Sequence, residues 1–387
     1  MAAVRLLAAL GVGGVLYLTP MVFHRAAFDA GEVTRGVALA AAAGTVGRLA
    51  SGLLLDRGRS CGLPVLLAVV AQLLGDGLLL SAHDPGGYMV GQLLMGLAMG
   101  LYWPAIELAV PLTCQPLSSG RAFALVRTAD AVGVAGGALI GALLAASGQL
   151  RGIYPVDMLC LALIAGLLVG QPLPRPQQRL RGGGGSRWRW LQPLLPLLAV
   201  TLLATAMPAL MQSALPLDLV SGGLARPALA ESLGALVIGL QLGLLVLLQW
   251  PVGRLLARRP LRQGLAVSLL AFTAGNLLLA GSALVPHGLA LLLLAQLPLA
   301  LGQAAFLPTA TEAVVRLCPE GHQGLAMALF SQCFAVSSLA APLLAGVLLD
   351  SQGHAVGLWL TMALSCLAGL APVGAIRQPP AAGPAGG

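Results

Sequence analysis

Residues 171–190 read QPLPRPQQRLRGGGGSRWRW, with three prolines, four consecutive glycines and five arginines. Such a stretch has no apolar face to bury and behaves as a flexible polar linker. Working outward, long apolar runs lie near 3–23, 35–55, 61–81, 87–112, 119–146 and 153–170 before it. A second set follows near 191–215, 229–252, 263–284, 288–313, 322–349 and 354–376. About 20 apolar residues cross the hydrocarbon as a helix, and a helix satisfies its own backbone in lipid. The runs do not alternate in the period-two manner of a transmembrane barrel. Turn chemistry marks the junctions His83-Asp84-Pro85-Gly86-Gly87 and Pro319-Glu320-Gly321. The expected fold is therefore all-α and polytopic, with 12 transmembrane helices in two six-helix bundles. The expected boundaries are 1–170, a cytoplasmic linker at 171–190, 191–376, and a short disordered tail at 377–387. The opening run resembles a signal peptide in having one Arg before apolar residues, but the spans that follow it closely make it the first span.

Composition agrees. The 387 residues are 58% hydrophobic and 9% charged, with a mean hydropathy of +0.91. Soluble domains carry about 25% charge, so this chain has too little for a water-facing surface. All 21 basic residues are Arg, and most fall in loops. The net charge of +8 thus points to cytoplasmic loops on a lipid bilayer, not to nucleic acid. Placing both termini inside assigns to the cytoplasm Arg5, Arg57, Arg59, Arg121, the five linker arginines, Arg254, Arg258, Arg259, Arg262, Arg316 and Arg377. It leaves only Arg25, Arg35, Arg151 and Arg226 outside, as the positive-inside rule requires. The linker's Arg187, Trp188, Arg189 and Trp190 read as a positive segment with interfacial tryptophans, and anionic headgroups are the alternative partner. Cys61, Cys114, Cys160, Cys318, Cys333 and Cys366 show no CxxC or metal-ligand spacing.

A shift of 204 superposes the halves. Gln92-Leu93 falls on Gln296-Leu297, Tyr102 on Phe306, Pro104 on Pro308 and Gly120 on Gly324. Duplicated six-helix halves are a transporter plan, with solute bound midway between them.

Gly52-Leu53-Leu54-Leu55-Asp56-Arg57-Gly58-Arg59, between spans 2 and 3, is similar to the signature loop G-x-L-A-D-R-x-G-R-R of the major facilitator superfamily. The sequence resembles that superfamily, and in particular its bacterial drug and metabolite efflux members. It departs at Ser60, at Ala257 in the second-half loop, and at Gln92, where span 4 of the family often has Arg. The resemblance implies two pseudo-symmetric bundles, alternating access, and a gating loop made of Gly52, Asp56, Arg57 and Arg59. Glycine permits close helix approach, and Asp56 can meet an Arg or a helix N-terminus. Gly133, Gly136, Gly137 and Gly141 in span 5, with Ala340-Ala341-Pro342 to Gly346 in span 11, are similar to small-residue motifs of the antiporter branches. Generic helix packing reads equally well.

Ionisable residues inside spans are costly and by default functional. Candidates for substrate binding or proton coupling are Arg48, Asp76, Gln92, Glu107, Arg127, Asp130, Gln296 and Glu312. Asp130, Glu107 and Glu312 are the expected proton or cation sites, with Arg127 three residues from Asp130 on one helix face. The alternative makes Glu107 and Glu312 structural partners of Arg121 and Arg316. Asp76, near the outer end of span 3, reads also as an interhelical hydrogen-bonding residue. Tyr17, Tyr102, Trp103 and Phe306 add aromatic surface, which suits a hydrophobic or amphipathic solute.

An enzyme would need a catalytic constellation. His24, His83, His287, His322 and His354 are scattered in loops, and the glycines at 182–185 lack the GK[ST] of a phosphate loop. The expected function is secondary active transport of a small molecule by a monomer, most simply proton-coupled efflux at a bacterial plasma membrane. No cofactor is expected, with a proton gradient as driving force. Proton-linked or facilitated uptake is the second reading, and a non-transporting receptor or scaffold on the same fold is a third.

Overall fold

A computed structural model describes residues 1–25, 30–176, 189–229, 231–319 and 321–376. Arg187, Trp188 and residues 377–387, as well as the side chains of Tyr17 and Arg189, lie outside what is described. No strand occurs among the described residues.

The helices are α1 (Ala2–Arg25), α2 (Ala30–Asp56), α3 (Gly62–Ser81), α4 (Pro85–Thr113), α5 (Ser119–Ala146) and α6 (Ile153–Gly170). After the linker come α7 (Leu195–Ser221), α8 (Glu231–Leu256), α9 (Leu261–Leu284), α10 (Leu289–Leu317), α11 (Gln323–Gln352), α12 (Val356–Ala368) and its short continuation α13 (Leu370–Ala375). All twelve predicted spans find their helix. Among the described residues 11 helical segments are long and apolar enough to cross a membrane, and α1 carries a further apolar segment, Ala2–Val15. The chain is a multi-pass membrane protein.

Local chemistry sets the boundaries. Asp84 precedes Pro85, which needs no hydrogen bond at the first helical position, and the Asp84 carboxylate accepts from Gly87 N at 2.9 Å, capping α4. Gly222, with φ of 81°, ends α7.

The chain divides into two compact units. The first is Met1–Gly184 together with Glu320–Gln332; the second is Gly185–Pro319 together with Cys333–Gly387. The first unit packs α4 on α2 and α3, α1 on α5 and α6, and α3 on α6. The second repeats part of that plan, packing α10 on α8 and α9, and α9 on α12. The sequence repeat is thus a repeat of helix pairings. The span 5 glycines serve the first unit: a Cβ on Gly133 would lie 2.6 Å from the Leu6 carbonyl oxygen, and Gly137 sits against Leu10 O, both in α1. On the outer faces Leu139, Leu143, Val169 and Leu364 are exposed, while Arg5, Asp76, Glu107, Asp157 and Asp218 are buried. Apolar outside and polar inside is the arrangement a lipid solvent selects.

Candidate functional site

The polar interior of the first unit has three parts. The first is a charge cluster on α1, α4 and α5. Arg5, fully buried, donates from Nε to Asp130 Oδ1 at 2.7 Å and from one terminal nitrogen to Glu107 Oε1 at 2.7 Å; its other terminal nitrogen pairs with Asp130 Oδ2. The planar guanidinium forks onto Asp130, as its geometry favours. Arg127 completes the square, 2.8 Å from Glu107 Oε1 and 3.4 Å from Asp130 Oδ2. Two cations and two anions cancel. The Trp103 ring lies 4.6 Å from the Arg5 guanidinium carbon, a cation–π contact.

The sequence expectation that Arg127 pairs with Asp130 holds in this geometry, but two others need correction. Arg5, counted among the cytoplasmic loop arginines, stands inside α1 and is the hub of the cluster. Arg121 is not the partner of Glu107; Arg5 and Arg127 are. A lone Arg five residues into an apolar run reads as a flanking anchor, and only packing against α4 and α5 reveals otherwise.

The second part is a pair of carboxyl groups. Asp76 on α3 and Asp157 on α6 are both buried, and the Gln72 side-chain nitrogen donates to each, at 3.0 Å to Asp76 Oδ1 and 3.1 Å to Asp157 Oδ2. The bond to Asp76 lies within α3, and it is Gln72's bond to Asp157 that joins α3 to α6. Asp157 escaped notice in the sequence, although an acid inside Tyr154-Pro155-Val156-Asp157-Met158 is the signal by which the other buried charges were found. Between these two parts lies a cavity of about 90 Å³, lined by Arg5 and Asp130 at the cluster, by Gln72 and Asp157 at the carboxyl pair, and by Val12, Met99, Tyr102, Trp103, Leu161 and Ile164 among its apolar and aromatic walls.

The third part is the signature loop. Asp56 is the last residue of α2, and its two carboxylate oxygens accept from Gly324 N at 2.8 Å and Leu325 N at 3.2 Å in the first turn of α11. Asp56 meets a helix N-terminus, where backbone donors and the dipole favour an anion. The glycines make this approach possible: a Cβ on Gly52 would stand 2.9 Å from Gly324 O, and one on Gly324 would stand 2.6 Å from Gly52 O. Farther along α2, Arg48 Nε donates to Ser331 Oγ at 3.0 Å, and Gln332 donates to Thr45 Oγ1 at 3.0 Å. Arg57 and Arg59 are exposed.

The second unit is poorer in charge. Glu312 lies 2.5 Å from Arg316 one turn on, the structural alternative weighed for it. Gln92 and Gln296, related by the repeat, are both buried, each with a side-chain oxygen that has no hydrogen-bond partner among the described residues. Gln296 donates to Leu292 O at 2.9 Å. Arg226, expected in an external loop, is buried; it pairs with Asp218 at 3.0 Å and donates to Ser282 Oγ at 2.8 Å, while Trp359 Nε1 donates to the other Asp218 oxygen at 3.1 Å. Asp218 was missed because α7 runs six residues past its predicted end at 215.

Residues 194–386 match the sequence model of the Major Facilitator Superfamily. No curated protein matches the sequence. Among solved structures, the E. coli fucose:proton symporter FucP (N162A) is similar with a TM-score of 0.79 at 14% identity, over 98% of each chain. A bacterial homologue of the iron transporter ferroportin, outward-facing, gives 0.76 at 16%, over 97% of this chain and 98% of that one. The human organic anion transporter MFSD10 (TETRAN) gives 0.74 at 17%, over 96% and 97%. At these identities the likeness speaks for the fold, and the sequence match for the family. With the twelve-helix fold shared over nearly its whole length and its second half matching the family's sequence model, the chain belongs to the Major Facilitator Superfamily, a family of transporters rather than enzymes.

Proposed function

We propose that the protein exports a small hydrophobic or amphipathic organic solute in exchange for protons, by alternating access, as a monomer in a bacterial plasma membrane with both termini cytoplasmic. The cavity of the first unit carries this reading. Its walls are mostly apolar and aromatic, and Arg5 and Asp130 at its edge are already paired with each other. A multiply charged solute would have to break buried ion pairs to bind, at a cost of several kcal/mol each. An apolar or weakly amphipathic group meets no such penalty. Asp56, bound to the start of α11, is the contact we assign to gating, with Gly52, Arg57 and Arg59 around it.

The test is transport in proteoliposomes under an imposed pH gradient, with lipophilic dyes and amphipathic drugs set against charged metabolites. Proton-dependent extrusion of lipophilic compounds supports the reading. Proton-driven uptake of one hydrophilic metabolite would replace it with symport, the activity for which the structurally similar fucose:proton symporter is named. Ligand binding without flux of any solute would point to a receptor.

A further inference from the structure

The carboxyl pair of Asp76 and Asp157 has no arginine to neutralise it. Among the described residues neither acid takes part in an ion pair, whereas Arg5, Glu107, Arg127 and Asp130 pair with one another. Arg151, the nearest arginine along the chain, donates instead to Leu80 O at 2.6 Å and Ala82 O at 2.8 Å. Of the other groups facing the pair, Tyr154 on α6 donates to Thr19 of α1 at 3.3 Å, Cys160 follows Asp157 by one turn, and Tyr88 lies on α4. None is a cation. Across the cavity the nearest ones belong to the balanced cluster.

Gln72 offers one amide nitrogen to both acids, which brings them side by side. Its two hydrogens satisfy one oxygen of each. Asp76 Oδ2 is left buried with no hydrogen-bond partner among the described residues, on a side chain fully shielded from solvent. Asp157 Oδ1 occupies the space where a Cβ on residue 11 would stand, so Gly11 of α1 leaves room for the carboxyl group and closes it in. Two bare carboxylates in such a place would repel each other in a medium of low polarity. A single proton held between them removes one charge and supplies the missing donor.

We propose that Asp76 and Asp157 share one proton, and that this pair is the proton-binding site of the first unit, loaded and unloaded through the adjoining cavity. This rests on the proton-coupled reading above for its purpose but not for its existence. In the loaded state one carboxyl O–H donates to the other carboxylate, and the pair carries a single negative charge. On release the proton passes to water in the cavity, whose lining includes Asp157 and Gln72, and the charge becomes two negative. A cavity of about 90 Å³ exceeds the roughly 10–15 Å³ one water centre needs. The Arg5 cluster at its other end is electrically balanced and takes no part in the binding step.

The experiment is infrared difference spectroscopy between neutral and alkaline pH on the full chain in lipid nanodiscs. The wild type should show the carbonyl stretch of a protonated carboxylic acid at neutral pH, lost on alkalinisation and moved by carbon-13 aspartate labelling. The band should be absent from Asp76→Asn/Asp157→Asn. No such band in the wild type, a band unmoved by labelled aspartate, or one that persists in the double variant overturns the proposal. So does a band removed by sodium at constant pH, which would make this a sodium site. The labelling experiment uses wild-type protein, so the test stands even if the variant does not fold. A band that behaves as expected in a protein with no proton-coupled flux supports the site and refutes the coupled function. If flux is proton-coupled, the double variant should lose the proton-coupled component.

Discussion

Replacing Arg5 by Gln would turn a balanced cluster into one with a net negative charge. Arg5 contacts Glu107 at 2.7 Å and holds Asp130 by two nitrogens. At an effective dielectric near 20, a pair of unit charges about 4 Å apart interacts by ~4 kcal/mol, so two partners give ~8 kcal/mol of gross attraction. Returning a guanidinium to water offsets much of this. Removing one partner of a buried pair typically leaves a net loss of about 3–5 kcal/mol, because the abandoned carboxylate stays buried. The expected loss for Arg5→Gln is therefore about 3–5 kcal/mol, read by reversible unfolding in mixed detergent micelles. The diagnostic step is the second substitution. Arg5→Gln/Glu107→Gln leaves Arg127 facing Asp130 at 3.4 Å, one cation and one anion, and should recover about half of the loss by restoring neutrality. A single substitution costing under about 1 kcal/mol, the value of an exposed pair, would refute the burial and the hub role of Arg5. A double variant no more stable than the single would refute charge balance as the organising principle.

Asp56→Ala removes the acceptor for two backbone amides of α11 and should cost about 1.5–3 kcal/mol, with Asp56→Asn milder; unfolding of both variants in the same assay decides it. Gly52→Val places a side chain within 2.9 Å of Gly324 O and Ala328 Cβ, so α2 and α11 must part there; a cysteine pair at neighbouring positions should then cross-link more slowly, and an unchanged rate would contradict the close approach. Arg226→Met strands the buried Asp218 carboxylate and should cost about 3–5 kcal/mol, accompanied by a change in emission from Trp359, whose indole donates to Asp218. Burial pushes the Cys61 thiol up to about 12. It therefore remains a neutral thiol through pH 7–9, and maleimide should label the half-buried Cys114 first in native membranes; rapid labelling of Cys61 would show its pocket to be open.

The helices were legible because lipid imposes a length and a composition on any segment that crosses it, and both are properties of contiguous sequence. The signature loop was legible for a related reason, since Gly52 and Asp56 lie four residues apart in the last turns of one helix. Its partner was open in the sequence: Asp56 could have met an arginine, and tertiary packing gave it the amides of Gly324 and Leu325, 268 and 269 residues away.

What the sequence by itself determined was a membrane-spanning, all-helical, internally repeated chain with costly charges inside it. What only the tertiary structure decided was how those charges are partnered. Arg5 resembled a loop anchor, Asp157 passed unnoticed, and Arg226 looked exposed; all three are buried, and their partners lie on other helices or beyond a turn. The reason is physical. Hydrophobic content is summed along one helix, whereas the neutralisation of a buried charge depends on which side chains of several helices converge within about 3 Å. That convergence separates the balanced quartet from the unneutralised Asp76–Asp157 pair, a distinction that spacing along the chain does not carry.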